Sequence, residues 1–196
     1  MRYPVTLLAV LTLTGLIVSS APSAASAADI VQPRTDQVYV HTPSQFVFPP
    51  AVAGFARVNV RQYDRVGNDI SVGYNFASQG FVMTVYVYPM PQRPPNNTLD
   101  GHFGACKAEV CSHHEGTYLV SEDACQISCG GQSHDGKHAT FLYTDDFAGQ
   151  RQALGSQLFL FTHGRWFVMY RVSCPVVKQA LSKPAIGEFM RKLSWP

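Results

Sequence analysis

Four of the five cysteines (Cys106, Cys111, Cys125 and Cys129) and five of the seven histidines fall between His102 and His138. Thiols and imidazoles at that density allow bridging, metal binding or thiol redox chemistry. Bridging is the first expectation if the compartment is oxidising. On a helix, Cys106 and Cys111 lie five residues apart and point about 140° from each other. They therefore do not bond each other, and each reaches toward the segment that follows. A nested pattern results, Cys106–Cys129 and Cys111–Cys125, whose inner loop of about 15 residues contributes roughly 3 kcal/mol in the chain-entropy picture. A local Cys125–Cys129 bridge is the alternative, and sequence alone does not decide connectivity.

The same cysteines, or a mixture with His113, His114, His134 and His138, are soft N/S ligands for zinc or copper. Their spacings are C-x4-C and C-x3-C, not the paired C-x2-C knuckles of structural zinc sites. His134 and His138 lie in a Gly-rich stretch, and a helix cannot turn His113, His114 and Glu115 onto one ion. Disulfides are thus preferred, with those four histidines as metal candidates only in the alternative reading. Redox catalysis wants C-x-x-C at a helix start, which is absent. Cys174, before Pro175, is the odd cysteine and is expected to be a buried free thiol. No nucleophile elbow, zinc helix, P-loop or dinucleotide fingerprint occurs. No catalytic residue and no cofactor are therefore assigned. Tyr86, Tyr88, Phe159, Phe161, Trp166, Phe167 and Tyr170 are read as sheet core, with an apolar ligand cleft as the alternative.

The compartment follows from the N-terminus. Arg2 precedes an apolar run at residues 5–18, and small residues follow to Ala25-Ser26-Ala27. This is the pattern of a cleaved secretory signal, cut after Ala27, or after Ala28 as the alternative. The run, about 14 residues, is shorter than the ~20 of a spanning helix. No cysteine stands near the cut to take a lipid, and no second long apolar run follows, so no stable membrane span is expected after cleavage. The protein is expected to be periplasmic or secreted. About 169 residues remain, enough for one domain with a sizeable core. A formal net charge of +2 argues against nucleic acid as a partner.

Residues 28–37 read as a flexible lead-in and residues 38–196 as one domain. Short extended pieces at 38–41 and 46–48 come first. Residues 55–63 alternate, with Val58 and Val60 expected inward. After a turn at 64–69, Ile70, Val72 and Tyr74 form the inward face of a hairpin partner. Residues 81–88 are apolar on both faces, as in a central strand. A Pro-rich loop leads to a helix at 102–114, capped by Asp100. Residues 121–136 read as a long polar loop. Strands follow at 138–144, 156–162 and 166–173. A closing helix at 184–193 carries Ile186, Phe189, Met190 and Leu193 in one stripe, with Pro184 in its first turn. The order implies an α+β fold with a single mainly antiparallel sheet, both helices packing on it.

Several stretches together carry a resemblance. They are Phe48-Pro49-Pro50 with Gly54-Phe55, Asp69-Ile70-Ser71-Val72-Gly73-Tyr74, Val85-Tyr86-Val87-Tyr88-Pro89, Trp166-Phe167-Val168-Met169-Tyr170-Arg171, and residues 189–195. In these the chain resembles a family of uncharacterised exported proteobacterial proteins. The element order is similar to PsbP-like and DcrB-like domains. The resemblance implies a layout and no activity. The expected function is a non-enzymatic envelope binding or accessory domain, its partner an envelope protein or a small ligand. A zinc- or copper-binding protein using residues 102–138 and an enzyme of unrecognised type are the alternatives.

Overall fold

In the computed structural model, residues 29–31 and 36–196 are described, and the export signal read above lies outside them. Eleven strands and two α-helices follow in order. They are β1 Asp29–Val31, β2 Tyr39–His41, β3 Phe46–Phe48, β4 Ala51–Val52, β5 Phe55–Gln62, β6 Ile70–Phe76, β7 Phe81–Pro89, α1 Leu99–His113, β8 Tyr118–Cys129, β9 Gln132–Phe147, β10 Gln150–His163, β11 Trp166–Pro175 and α2 Gln179–Lys192. A 3-10 turn, Val176–Lys178, runs into α2. Asp29–Val31, inside the stretch expected to be a flexible lead-in, pair with β5.

The fold is α+β and dominated by sheet, but one sheet is too simple a description. The main sheet runs β1-β5-β6-β7-β11-β10-β9-β8, with β4 also on β5, and every described pairing is antiparallel. The hairpin β2–β3 forms a separate two-stranded sheet. Its Phe46 and Phe48 are fully buried in the same core as Phe55, Tyr74, Phe189 and Trp195. Helix α2 closes that face. Helix α1 closes part of the other, where Phe103, Cys106 and Val110 meet Phe141, Leu158 and Phe167. The sheet therefore has a distinct apolar core on each side.

Three local departures from the sequence reading have physical causes. A register shift between Arg57 and Asn59 interrupts the alternation of β5. Val58 is 47% exposed and Arg57 only 5%. A bulge of this kind turns the next side chain to the other face. Arg57 then donates to the Phe48 carbonyl at 2.6 Å and to the Gln37 carbonyl at 2.5 Å, anchoring the β2–β3 hairpin. Helix α1 starts earlier than expected, and its cap is Thr98, whose Oγ1 accepts from Gly101 N at 3.1 Å. Asp100 instead reaches Lys137 of β9 at 2.7 Å. Helix α2 also starts earlier, so Pro184 lies inside it. Proline there forfeits one bond, to the carbonyl of Ala180, a residue exposed to water.

The largest difference is at 121–136, where a loop was expected. The segment continues β8, turns at Gly130-Gly131 and enters β9. Both glycines have positive φ, 59° and 78°, the conformation that a two-residue hairpin turn demands.

The turn joining β5 to β6 carries a pH-dependent element. Asp64 Oδ1 accepts from Asn68 N at 2.8 Å. Burial, with the negative charge of Asp64, pushes the Asp69 carboxyl up to about 6. The folded protein thus holds this proton more tightly than the unfolded chain, where aspartate titrates near ~3.9. The resulting stability is fully present below about pH 4 and is lost as pH rises through about 6. Asp69→Asn is therefore expected to gain stability over the natural protein at pH 7 and to show little gain at pH 4. Urea denaturation at the two pH values checks this, and an equal difference at both would contradict it.

Candidate functional site

Strands β8, β9 and β10 extend beyond the cover of α2. A cleft of about 680 Å³ remains between that helix and the outer strands. That volume lies in the range of small-molecule sites. Ile127, Phe159 and Phe161 form its apolar floor, and Ile186 and Met190 are its helical wall. Alternation places them. On β8, Asp123, Cys125 and Ile127 face the cleft. Glu122, immediately before Asp123, points to the other side and pairs with Lys107 of α1. Gly136 keeps the floor flat, because a Cβ there would stand 2.3 Å from the Phe161 ring.

The polar groups sit on the rim. Lys183, Gly187 and Arg191 recur every fourth residue along α2, so one flank of the helix meets the cleft with a cation at each end. A Cβ on Gly187 would meet nothing within 4 Å, so the helix leaves a gap there. Across the cleft, the His138 ring stacks on Phe159 with centroids 4.2 Å apart and planes 15° from parallel. Burial lowers its pKa, opposed by a bond with Gln157 and the charge of Asp123, so the imidazole is neutral at pH 7. Gln157 Nε2 donates to Ser182 Oγ at 3.2 Å, tying β10 to α2 at the closed end. Cys125, half-buried, is pushed up to about 11 by burial. It remains a thiol at neutral pH, so the cleft is equipped to hold a ligand rather than to attack one.

The cysteines are distributed differently from the sequence reading. All five, including Cys174, are unbridged. Cys106 is buried on the inner face of α1 and Cys111 is exposed on the same helix. Cys125 and Cys129 are on the α2 side of the sheet. The nested pairs Cys106–Cys129 and Cys111–Cys125 would each have to pass through the sheet. Cys125 and Cys129 share a face, but four residues of strand separate them by roughly 13 Å, too far for a bridge. Burial pushes Cys129 up to about 11, and Cys174, buried in the core under α2, is also raised by burial. Alkylation of the native protein is therefore expected to label Cys111 first. All five should label after unfolding without reductant. Fewer than five under those conditions would mean that a bridge exists.

The histidines are equally dispersed. His113 Nδ1 donates to the Glu109 carbonyl at 2.9 Å on the surface of α1. His114 stacks on Tyr143 at 3.9 Å and its Nδ1 meets Asp145 Oδ2 at 2.9 Å. His134 lies against Trp195 at 4.5 Å and His163 at 5.5 Å. His138 is in the cleft, roughly 13 Å along the strand from His134. Among the described residues, no three His, Cys, Asp or Glu side chains gather as a metal site would require. The aromatic set divides three ways. Phe159 and Phe161 line the cleft, Tyr86 and Tyr88 line a cavity on the other face, and Trp166, Phe167 and Tyr170 are core. Lys183, Gly187 and Arg191 were not singled out from the sequence. Their spacing of four was visible, but it carries meaning only on a helix that begins before Pro184.

The chain is thus a long antiparallel sheet with a helix on each face. The solution structure of cyanobacterial PsbP (CyanoP) from Synechocystis shares this fold, with a TM-score of 0.50 at 11% identity over 91% of this chain and 99% of that one. A Pseudomonas aeruginosa protein of unknown function is similar at a TM-score of 0.43, with 12% identity over 82% of this chain and 96% of that one. The Saccharomyces cerevisiae Ran-binding protein Mog1p is similar at 0.37, with 12% identity over 85% of this chain and 92% of that one. No protein-family model matches the chain, and no curated protein sequence matches it.

Proposed function

We propose that the protein is an exported, non-enzymatic binding or accessory domain of the cell envelope, and that the cleft beside α2 holds its ligand. The ligand would be a mainly apolar molecule bearing an acid group. The observation that carries this reading is the pairing of an apolar floor with two cations along one rim. Among the described residues, neither Lys183 nor Arg191 makes an ion pair within the protein. Asp123 on the far rim would repel an acid placed there, so charge orients the ligand toward α2.

The export half of the reading rests on the N-terminal pattern, and the intact mass of protein recovered from the periplasm should begin at Ala28. The binding half is tested with 1-anilinonaphthalene-8-sulfonate, which joins an apolar body to one sulfonate. One saturable site per protein is expected. Replacing both Lys183 and Arg191 by Gln should weaken it at least about tenfold, equivalent to ~1.4 kcal/mol. Unchanged affinity in that variant, or no saturable binding, would count against the cleft.

A further inference from the structure

On the opposite face of the sheet, a second cavity of about 370 Å³ opens between α1, strands β7 and β11 and the turn joining β5 to β6. Its contents are more polar than its position requires. Only two buried side-chain atoms among the described residues lack a hydrogen-bond partner, His102 Nδ1 and Arg171 Nε. Both belong to residues that line this cavity. Buried polar atoms without a partner are uncommon in folded proteins, and two beside one cavity mark its lining as unusually polar.

The surroundings are ordered. The Tyr88 hydroxyl and His102 Nε2 are 2.8 Å apart. The His102 ring stacks on Phe167 at 4.3 Å, 10° from parallel. The hydroxyl of Tyr63 is fixed by Ser71 Oγ at 3.0 Å. These contacts hold the walls without using the two orphaned nitrogens. The charges are mixed. Arg171 stands with Asp69 and Glu109 around the same space, and among the described residues none of the three makes an ion pair. The Arg171 guanidinium can only donate, so an occupant that pairs with it must offer an acceptor. Two carboxylates against one guanidinium leave the walls net negative, so a simple anion would be repelled. A ligand carrying both charges meets both demands. Tyr63, Tyr86 and Tyr88 add ring faces that suit an ammonium group.

We propose that this cavity is a second ligand site, separate from the cleft beside α2, and that it takes a small zwitterion of the amino-acid class. The carboxylate would accept from Arg171 and the ammonium would face Asp69 and Glu109.

The test is thermal shift followed by calorimetric titration of the exported protein with the common L-amino acids and glycine betaine. At least one is expected to bind with 1:1 stoichiometry and raise Tm. Its analogue lacking the amine, and its analogue lacking the carboxylate, should each bind at least tenfold more weakly. Arg171→Gln should weaken binding at least tenfold, and Glu109→Gln, on the helix, serves the same purpose if the first variant does not fold. Gly187→Trp, in the other cleft, should leave this binding unchanged. No binding at millimolar concentration would overturn the proposal, leaving water as the occupant. Equal binding of a singly charged analogue would overturn it too.

Discussion

Phe189→Ala is expected to lower the stability of the protein by about 3–5 kcal/mol, the range for deleting a fully buried phenylalanine. Phe189 is 0% exposed. Its ring meets Tyr74 at 5.0 Å and Phe55 at 5.1 Å, both edge-on, and Tyr170 at 6.5 Å. These partners come from β6, β5 and β11, so one side chain from α2 locks the helix to three strands. Aromatic edge contacts of this kind add about 0.5–1.5 kcal/mol beyond buried area. The cavity left by alanine would be walled by rings on rigid strands, which cannot collapse to fill it. Denaturant unfolding measures the effect, and a loss below ~1 kcal/mol would mean that α2 is not docked as described. Because α2 is also the wall of the cleft, the variant should lose probe binding at temperatures where the natural protein retains it.

In the half of the sheet built from β5, β6 and β7 the strands were legible, although the bulge in β5 turns Val58 outward and β7, read as apolar on both faces, leaves Val82 exposed. Ile70, Val72 and Tyr74 point inward as their spacing implies, and Phe81, Met83, Val85 and Val87 line the same core. The outer hairpin was legible only in part, as the strand at 138–144. Along β8 from Tyr118 to Gln126 the side chains are exposed or half-buried, as on an edge strand, and hydropathy has no period to report there. The signal that could have found it was Gly130-Gly131, a pair suited to a tight hairpin between two extended runs. Missing that hairpin misplaced the cysteines. The nested pairing assumed that α1 and the returning chain face each other, whereas the return is strand and the sheet stands between Cys106 and Cys129.

The candidate site was half visible. Phe159 and Phe161 were read as sheet core with a ligand cleft as the alternative, and on β10 the half-buried Phe159 and the buried Phe161 both line the cleft. His138 was noticed for its imidazole, yet its role is a neutral ring stacked beside the opening. Lys183 was invisible as a site residue, because a helix starting at Pro184 leaves it outside. The cavity under α1 was wholly hidden. Its residues come from the β5–β6 turn, β7, α1 and β11, and only the pairing of strands brings Asp69, Tyr88 and Arg171 together.

The central claim, that the cleft beside α2 is the binding site, is tested most directly at Gly187. Gly187→Ala places a methyl group in open space and should stabilise the helix by about 0.5–1 kcal/mol while leaving binding intact. Gly187→Trp fills the gap between Lys183 and Arg191 with an indole. In titrations with 1-anilinonaphthalene-8-sulfonate, the alanine variant is predicted to bind as the natural protein does. The tryptophan variant is predicted to keep its Tm and lose affinity by at least about tenfold. Binding by a folded Gly187→Trp protein as tight as that of the natural chain would contradict the account.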